Sequence, residues 1–159
     1  MSAGLKLIDA ERDGDEFVKL FESGGTVPLR VTGTSMLPLL RPGRSTVWLE
    51  GKKESPKRGD ILLFRRRDGA FVLHRVREIL DGKYVMNGDA QSWCEVISED
   101  MVIAVVRRID TGKRVYTSDS LPMRVYRLLW APTYPARRQI LGAAIRLRMA
   151  FIRPKGRNK

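Results

Sequence analysis

Asp60-Ile61-Leu62-Leu63-Phe64-Arg65-Arg66-Arg67-Asp68-Gly69-Ala70-Phe71-Val72-Leu73-His74-Arg75-Val76 is the stretch that decides the fold class. Asp60–Phe64 and Phe71–Val76 are short runs rich in β-formers, and the loop between them contains an Asp-Gly pair, which favours a tight hairpin turn. The same texture continues on both sides. Val27–Val31 and Ser45–Leu49 read as strands, Glu78–Leu80 and Tyr84–Met86 flank a turn at Asp81-Gly82-Lys83, and Val102–Ile109 is an apolar, β-branched run. Short strands separated by glycine-bearing turns predict a compact, mainly β domain over residues 26–117.

The flanks read differently. Residues 9–23 predict a short helix within a lead-in of residues 1–25: Asp9 or Asp13 can cap it, Phe17, Val18, Leu20 and Phe21 share a side, and Gly24-Gly25 stops it. Beyond Ser118, Met123–Trp130 predicts a helix, broken by Pro132 and Pro135. Ala136–Arg153 predicts a second one, with Ile140, Ala144, Leu147 and Phe151 on one face. Residues 118–159 are thus expected to form a basic helical extension.

Charge divides along the same line. Residues 1–119 hold 20 Lys and Arg against 18 Asp and Glu, whereas residues 120–159 hold ten Lys and Arg and no acid. Such a segment seeks a polyanion. The arginines of 123–153, interleaved with Leu128, Leu129, Trp130, Ile140, Leu141, Ile145, Leu147, Phe151 and Ile152, suit a helix lying on an anionic membrane surface; packing of that apolar arc on the β domain or on a second copy is the alternative. Nucleic acid is not an expected partner, because no recognition module or interleaved stacking aromatics accompany the charge.

Composition excludes several classes. Hydrophobic residues are 43% and charged residues 30% of the 159, which is incompatible with a disordered or collagen-like chain. A single cysteine, Cys94, cannot form an intramolecular disulfide or a cysteine cluster, and a single histidine, His74, cannot form a polyhistidine site, so no metal or other cofactor is expected. Apolar stretches such as Ile140–Ile145 run to about six residues, against the roughly 20 of a spanning helix. Met1–Lys6 does not open a secretory signal. A cytoplasmic protein, or one peripheral to a membrane, is the resulting expectation.

Three segments can carry chemistry. Thr32-Gly33-Thr34-Ser35-Met36-Leu37-Pro38 presents a serine just after a strand, between a glycine that permits an unusual turn and a proline that stiffens the exit. Leu73-His74-Arg75-Val76 holds an imidazole in a strand, with Val72 and Val76 on its face, either as a half-buried structural residue or as a rigidly held base. Asn87-Gly88-Asp89 is a turn signal whose aspartate could accept a hydrogen bond from a histidine. The Arg65–Arg67 triplet reads as a solvated hairpin tip.

Together these segments resemble a family. Gly33-x-Ser35-Met36-x-Pro38, then Arg58-Gly59-Asp60-Ile61-Leu62-Leu63-Phe64, then His74-Arg75-Val76, then Gly88-Asp89, is similar to the signal peptidase I clan, and within it to the Ser–His–Asp branch of endoplasmic-reticulum and archaeal type. Four boxes in order over residues 27–109 carry the resemblance. The bacterial signal peptidases and SOS-repressor autoproteases of the clan place a lysine where His74 stands. The resemblance implies a signal-peptidase-like, SOS-repressor C-terminal-like β domain, and a serine endopeptidase that cleaves signal-like or leader peptides. It implies Ser35 as nucleophile, His74 as base and Asp89 as the acid orienting His74. The Ser35 N–H would serve in an oxyanion hole, with Gly33, Thr34 and Met36 beside it, and the substrate would add as a strand to a sheet edge. The chain departs from the pattern in three places. Gly33 stands where a hydroxyl residue is frequent, leaving Thr34 or Thr32 to supply one. Gly88-Asp89 runs into Ala90-Gln91-Ser92-Trp93-Cys94-Glu95, with Glu95 the only further acid nearby, and no membrane anchor is visible. Two other readings remain: a non-catalytic peptide-binding module on the same scaffold, and a self-processing regulator cut at Ala3-Gly4.

Overall fold

The computed structural model describes residues 19–21, 24–137, 139–140 and 143. Eight strands form one antiparallel sheet: β1 (Thr26–Arg30), β2 (Thr46–Gly51), β3 (Ile61–Arg65), β4 (Phe71–Leu80), β5 (Lys83–Asn87), β6 (Glu95–Ile97), β7 (Val102–Asp110) and β8 (Val115–Thr117). Their order is β1-β2-β7-β3-β4-β5-β6, with β8 paired to β7. All eight lie within 26–117, so the mainly β reading of that segment holds.

β3 shows why its sequence does not alternate. Ile61 and Leu63 pack into one apolar cluster with Met36, Leu40, Val47 and Ile109, whereas Leu62 and Phe64 pack into another with Val76, Met86 and Val105. A strand covered on both faces needs apolar residues at every position. The expected hairpin joins β3 to β4: Ala70 N–H donates to Asp68 Oδ1 at 3.0 Å, and Gly69 takes a φ of 90° that a side chain would disfavour.

Two expectations change. Glu78–Leu80 is not a separate strand; it continues β4 past an irregularity between Val76 and Glu78, so one long strand reaches the Asp81-Gly82 turn. Pro132 and Pro135 do not break the chain into loop after α1 (Leu121–Trp130); the backbone tightens into a 3₁₀ segment, Ala131–Ala136, that contains both. Three-residue β6 and β8 carry too short a pattern to be read from sequence. Of the predicted 9–23 helix only residues 19–21, which are helical, are described, and most of 138–153 likewise lies outside the described residues. Among the described residues, no helix is long and apolar enough to cross a membrane, and no group of three or more His, Cys, Asp or Glu could hold a metal.

Candidate active site

β4 fixes His74. The residue pairs with Leu62 of β3, its ring is 2% exposed, and it packs between Phe64 and Trp93, at centroid distances of 6.0 and 6.2 Å. Nδ1 lies 3.0 Å from Glu95 Oε1, at the start of β6. A carboxylate only accepts, so this bond places the ring proton on Nδ1 and the lone pair on Nε2. Among the described residues, no hydrogen bond reaches Nε2. Burial lowers the His74 pKa; the charge and hydrogen bond of Glu95 oppose that shift, and Arg66 adds to it. The imidazole is therefore neutral, as a base must be before it acts.

Glu95 is itself held. Arg66 grips it with a two-pronged guanidinium, Nε to Oε2 at 2.7 Å and Nη2 to Oε1 at 2.6 Å. Arg66 is thus no solvated hairpin tip: it reaches from the β3–β4 turn to the start of β6. The result is a row, Arg66 to Glu95 to His74, that sets the ring's tautomer and orientation.

Asp89 does not occupy the place expected of it. Its carboxylate is fully buried and receives Arg75 Nε at 2.9 Å and Arg75 Nη2 at 2.7 Å, with the Tyr126 hydroxyl at 3.2 Å. Trp130 Nε1–H donates to the Asp89 carbonyl at 2.8 Å. Burial lowers the Arg75 pKa, but the charge and hydrogen bonds of Asp89 outweigh it and the net shift is upward. Burial, reinforced by Asp89, also raises the Tyr126 pKa, so its hydroxyl stays protonated and donates. Strand alternation is the reason for the difference. Neighbours on β4 face opposite ways, so the acid that meets Arg75 is turned from His74. The Arg58-Gly59-Asp60 box serves the same buried pair, because the Gly59 carbonyl accepts Arg75 Nη1 at 2.9 Å.

Ser35 stands on a turn that follows β1 and includes a cis Leu37-Pro38 peptide. Ala90 N–H donates to the Ser35 carbonyl at 2.8 Å, and a Cβ built on Gly88 would meet that carbonyl at 2.7 Å. Only a glycine lets the two backbones approach so closely. β5 ends at Asn87, which pairs with Arg75, the residue after His74, and Gly88 follows it directly. The turn bearing Ser35 is thus tied, through Gly88 and Ala90, to the chain that leaves β5, the strand paired with β4. Among the described residues no hydrogen bond joins the Ser35 hydroxyl to His74, and none occupies the N–H of Ser35 or Met36. Gly33 and Thr34 are exposed, Thr32 is exposed as well, and Met36 is buried in the core with its backbone at the turn.

The basic extension packs on this region through its first part. Arg137 is buried; its guanidinium donates to Asn87 Oδ1, to the Gly88 carbonyl at 3.3 Å and to the Trp130 carbonyl at 3.2 Å, and burial lowers its pKa. Tyr126, Trp130 and Arg137 are neighbours of the site that the sequence does not point to; its one signal is Arg137, which falls within the apolar arc of the second predicted helix. No protein-family model matches the chain, and no curated protein matches it.

Proposed function

We propose that the chain is a serine endopeptidase of signal peptidase type, acting on a signal-like or leader peptide, with Ser35 as nucleophile, His74 as general base and Glu95 as the acid that orients it. The observation that carries the reading is the buried His74, whose Nδ1 is committed to Glu95, while the Ser35 turn is bonded to the turn that follows β5, the strand beside β4. In the proposed reaction Nε2 takes the proton from Ser35 Oγ as Oγ bonds to the scissile carbonyl carbon. The N–H groups of Ser35 and Met36 stabilise the oxyanion. The C–N bond then breaks, and the proton on Nε2 passes to the leaving amine. Water, deprotonated by Nε2, attacks the acyl-enzyme, and the proton returns to Ser35 as the acid product leaves. Glu95 stays ionised throughout and stabilises the imidazolium. β1 is an edge strand running into the Ser35 turn, which suits it to hold an extended peptide by main-chain hydrogen bonds.

A fluorophosphonate probe tests the nucleophile. The expected result is one adduct on Ser35, lost in Ser35→Ala and His74→Ala variants that keep the wild-type circular dichroism. A missing hydrogen bond between the Ser35 hydroxyl and His74 favours the second reading, a peptide-binding module without catalysis. An unlabelled but folded wild-type chain that still binds leader peptides would establish it. The intact mass of the expressed protein tests self-cleavage at Ala3-Gly4.

A further inference from the structure

Helix α1 is turned inside out relative to an ordinary surface helix. Its inward side carries the polar ends: Tyr126 and Trp130 donate to Asp89, and only Met123 joins the apolar core. Its outward side carries Leu121, Val125, Leu128 and Leu129, exposed to 71%, 44%, 74% and 67%. Spacings of four, three and one residues put these four on a single stripe, and Pro38, from the Ser35 turn, borders the same apolar surface. Arg124 lies exposed at the edge of the stripe.

We infer that this outward face of α1 docks on an anionic lipid bilayer, with the Ser35 turn held at the interface. A surface helix with a leucine stripe and basic flanks buries that stripe about 5–10 Å deep at the headgroup boundary. The charge identifies the surface. From Ser120 to Lys159 the chain carries ten basic residues and no acid, so a second copy seated face to face would set two such segments against each other. An anionic leaflet attracts them. Of the arc expected to meet lipid, Leu128 and Leu129 remain outward, whereas Trp130 turns its indole N–H to the Asp89 carbonyl and Arg137 is buried beyond the helix. It stands apart from the chemistry at Ser35, since lipid binding is read without substrate.

The test uses the full-length chain and vesicles of phosphatidylcholine with and without phosphatidylglycerol. We expect sedimentation with the anionic vesicles at low salt and release at high salt. The uncharged pair Leu128→Gln and Leu129→Gln should weaken binding by about tenfold or more while leaving charge and melting temperature unchanged. In a separate Leu128→Trp variant the added emission should shift to the blue on binding and be quenched by brominated lipid. Absence of vesicle binding would overturn the inference, and so would binding that the glutamine pair leaves intact. A dimer in light scattering that the pair dissociates would assign the face to a second copy. A melting temperature lowered by the pair would assign it to the chain's own C-terminal segment. Either result refutes docking on lipid.

Discussion

Glu95 and Arg66 act on His74 in opposite directions, and this gives the residue-scale reading its sharpest test. Glu95 opposes the fall in the His74 pKa and Arg66 deepens it. Activity requires the neutral ring, so the acid limb of the pH–rate profile follows that pKa. Removing the negative charge in Glu95→Gln should move the limb to lower pH, and it should also slow turnover by roughly 10²–10⁴-fold, because the imidazolium loses its counter-charge. Arg66→Ala should move the limb to higher pH, with Arg66→Lys falling between. Profiles of kcat/KM for the three variants check this; limbs that do not part in opposite directions would reject the row. Ser35 and His74 are singled out by the order of the four boxes rather than by residue type, since serine is an ordinary turn residue and a lone strand histidine is usually structural. Glu95 was visible as the only further acid near Gly88-Asp89, but adjacency favoured Asp89. Parity argues otherwise: Arg75 pairs with Asn87, so an acid two residues on from Asn87 belongs to the arginine's side of the ladder rather than the histidine's.

Elements are where pattern and structure agree best, and the exceptions have physical causes. Runs such as Ile61–Phe64 and Val102–Ile109 announce strands through composition alone, whereas β6 has only Glu95-Val96-Ile97 and is defined by its partner, with Val85 opposite Val96. A strand so short is invisible to periodicity, yet it delivers Glu95 to the site. The turn after β5 is equally decisive. Gln91 N–H donates to the Gly88 carbonyl at 2.9 Å, and Gln91 Oε1 lies 2.7 Å from where a Gly88 Cβ would stand, the same distance as the Ser35 carbonyl. The Ser35 carbonyl cannot yield cheaply because it is backbone, whereas the Gln91 amide can swing away at the cost of the hydrogen bond it accepts from Gly88 N–H. Gly88→Ala should therefore displace the Ser35 turn. The expected result is a loss of kcat/KM by more than about tenfold, alongside a stability decrease of about 1–3 kcal/mol typical of overpacking. Urea midpoints and labelling rates of Ser35 separate the two effects; unaltered labelling in a folded variant would show that the turn is not positioned through Gly88.

At the scale of the whole molecule, the segmentation by charge was right in composition and incomplete in consequence. Residues 120–159 lack acids, and so they read as an extension that needs an external anion. One anion they use is internal. Tyr126 and Trp130 cover Asp89, and Arg137 caps the side chain of Asn87 and the carbonyl of Gly88, all from beyond the strands. Counting charges segment by segment cannot reveal a pairing across 37 to 50 residues of sequence. Truncation after Ser120 should therefore destabilise the β domain. It removes Met123 from the core, a loss of the kind that costs about 2–5 kcal/mol, and it strips partners from buried polar groups at about 1–3 kcal/mol each. Against a total stability of about 5–15 kcal/mol, such a loss leaves a marginal fold. Urea unfolding of residues 1–120 should give a midpoint far below that of the full chain, together with slower labelling of Ser35, since the Asn87–Asp89 turn that seats it loses its cover. Ending the chain instead after Ala143, which keeps Tyr126, Trp130 and Arg137, should restore most of the midpoint. Equal midpoints for the full chain and the 1–120 fragment would show that the extension is no part of the folded unit, and the burial of Arg137 would then contribute nothing to it.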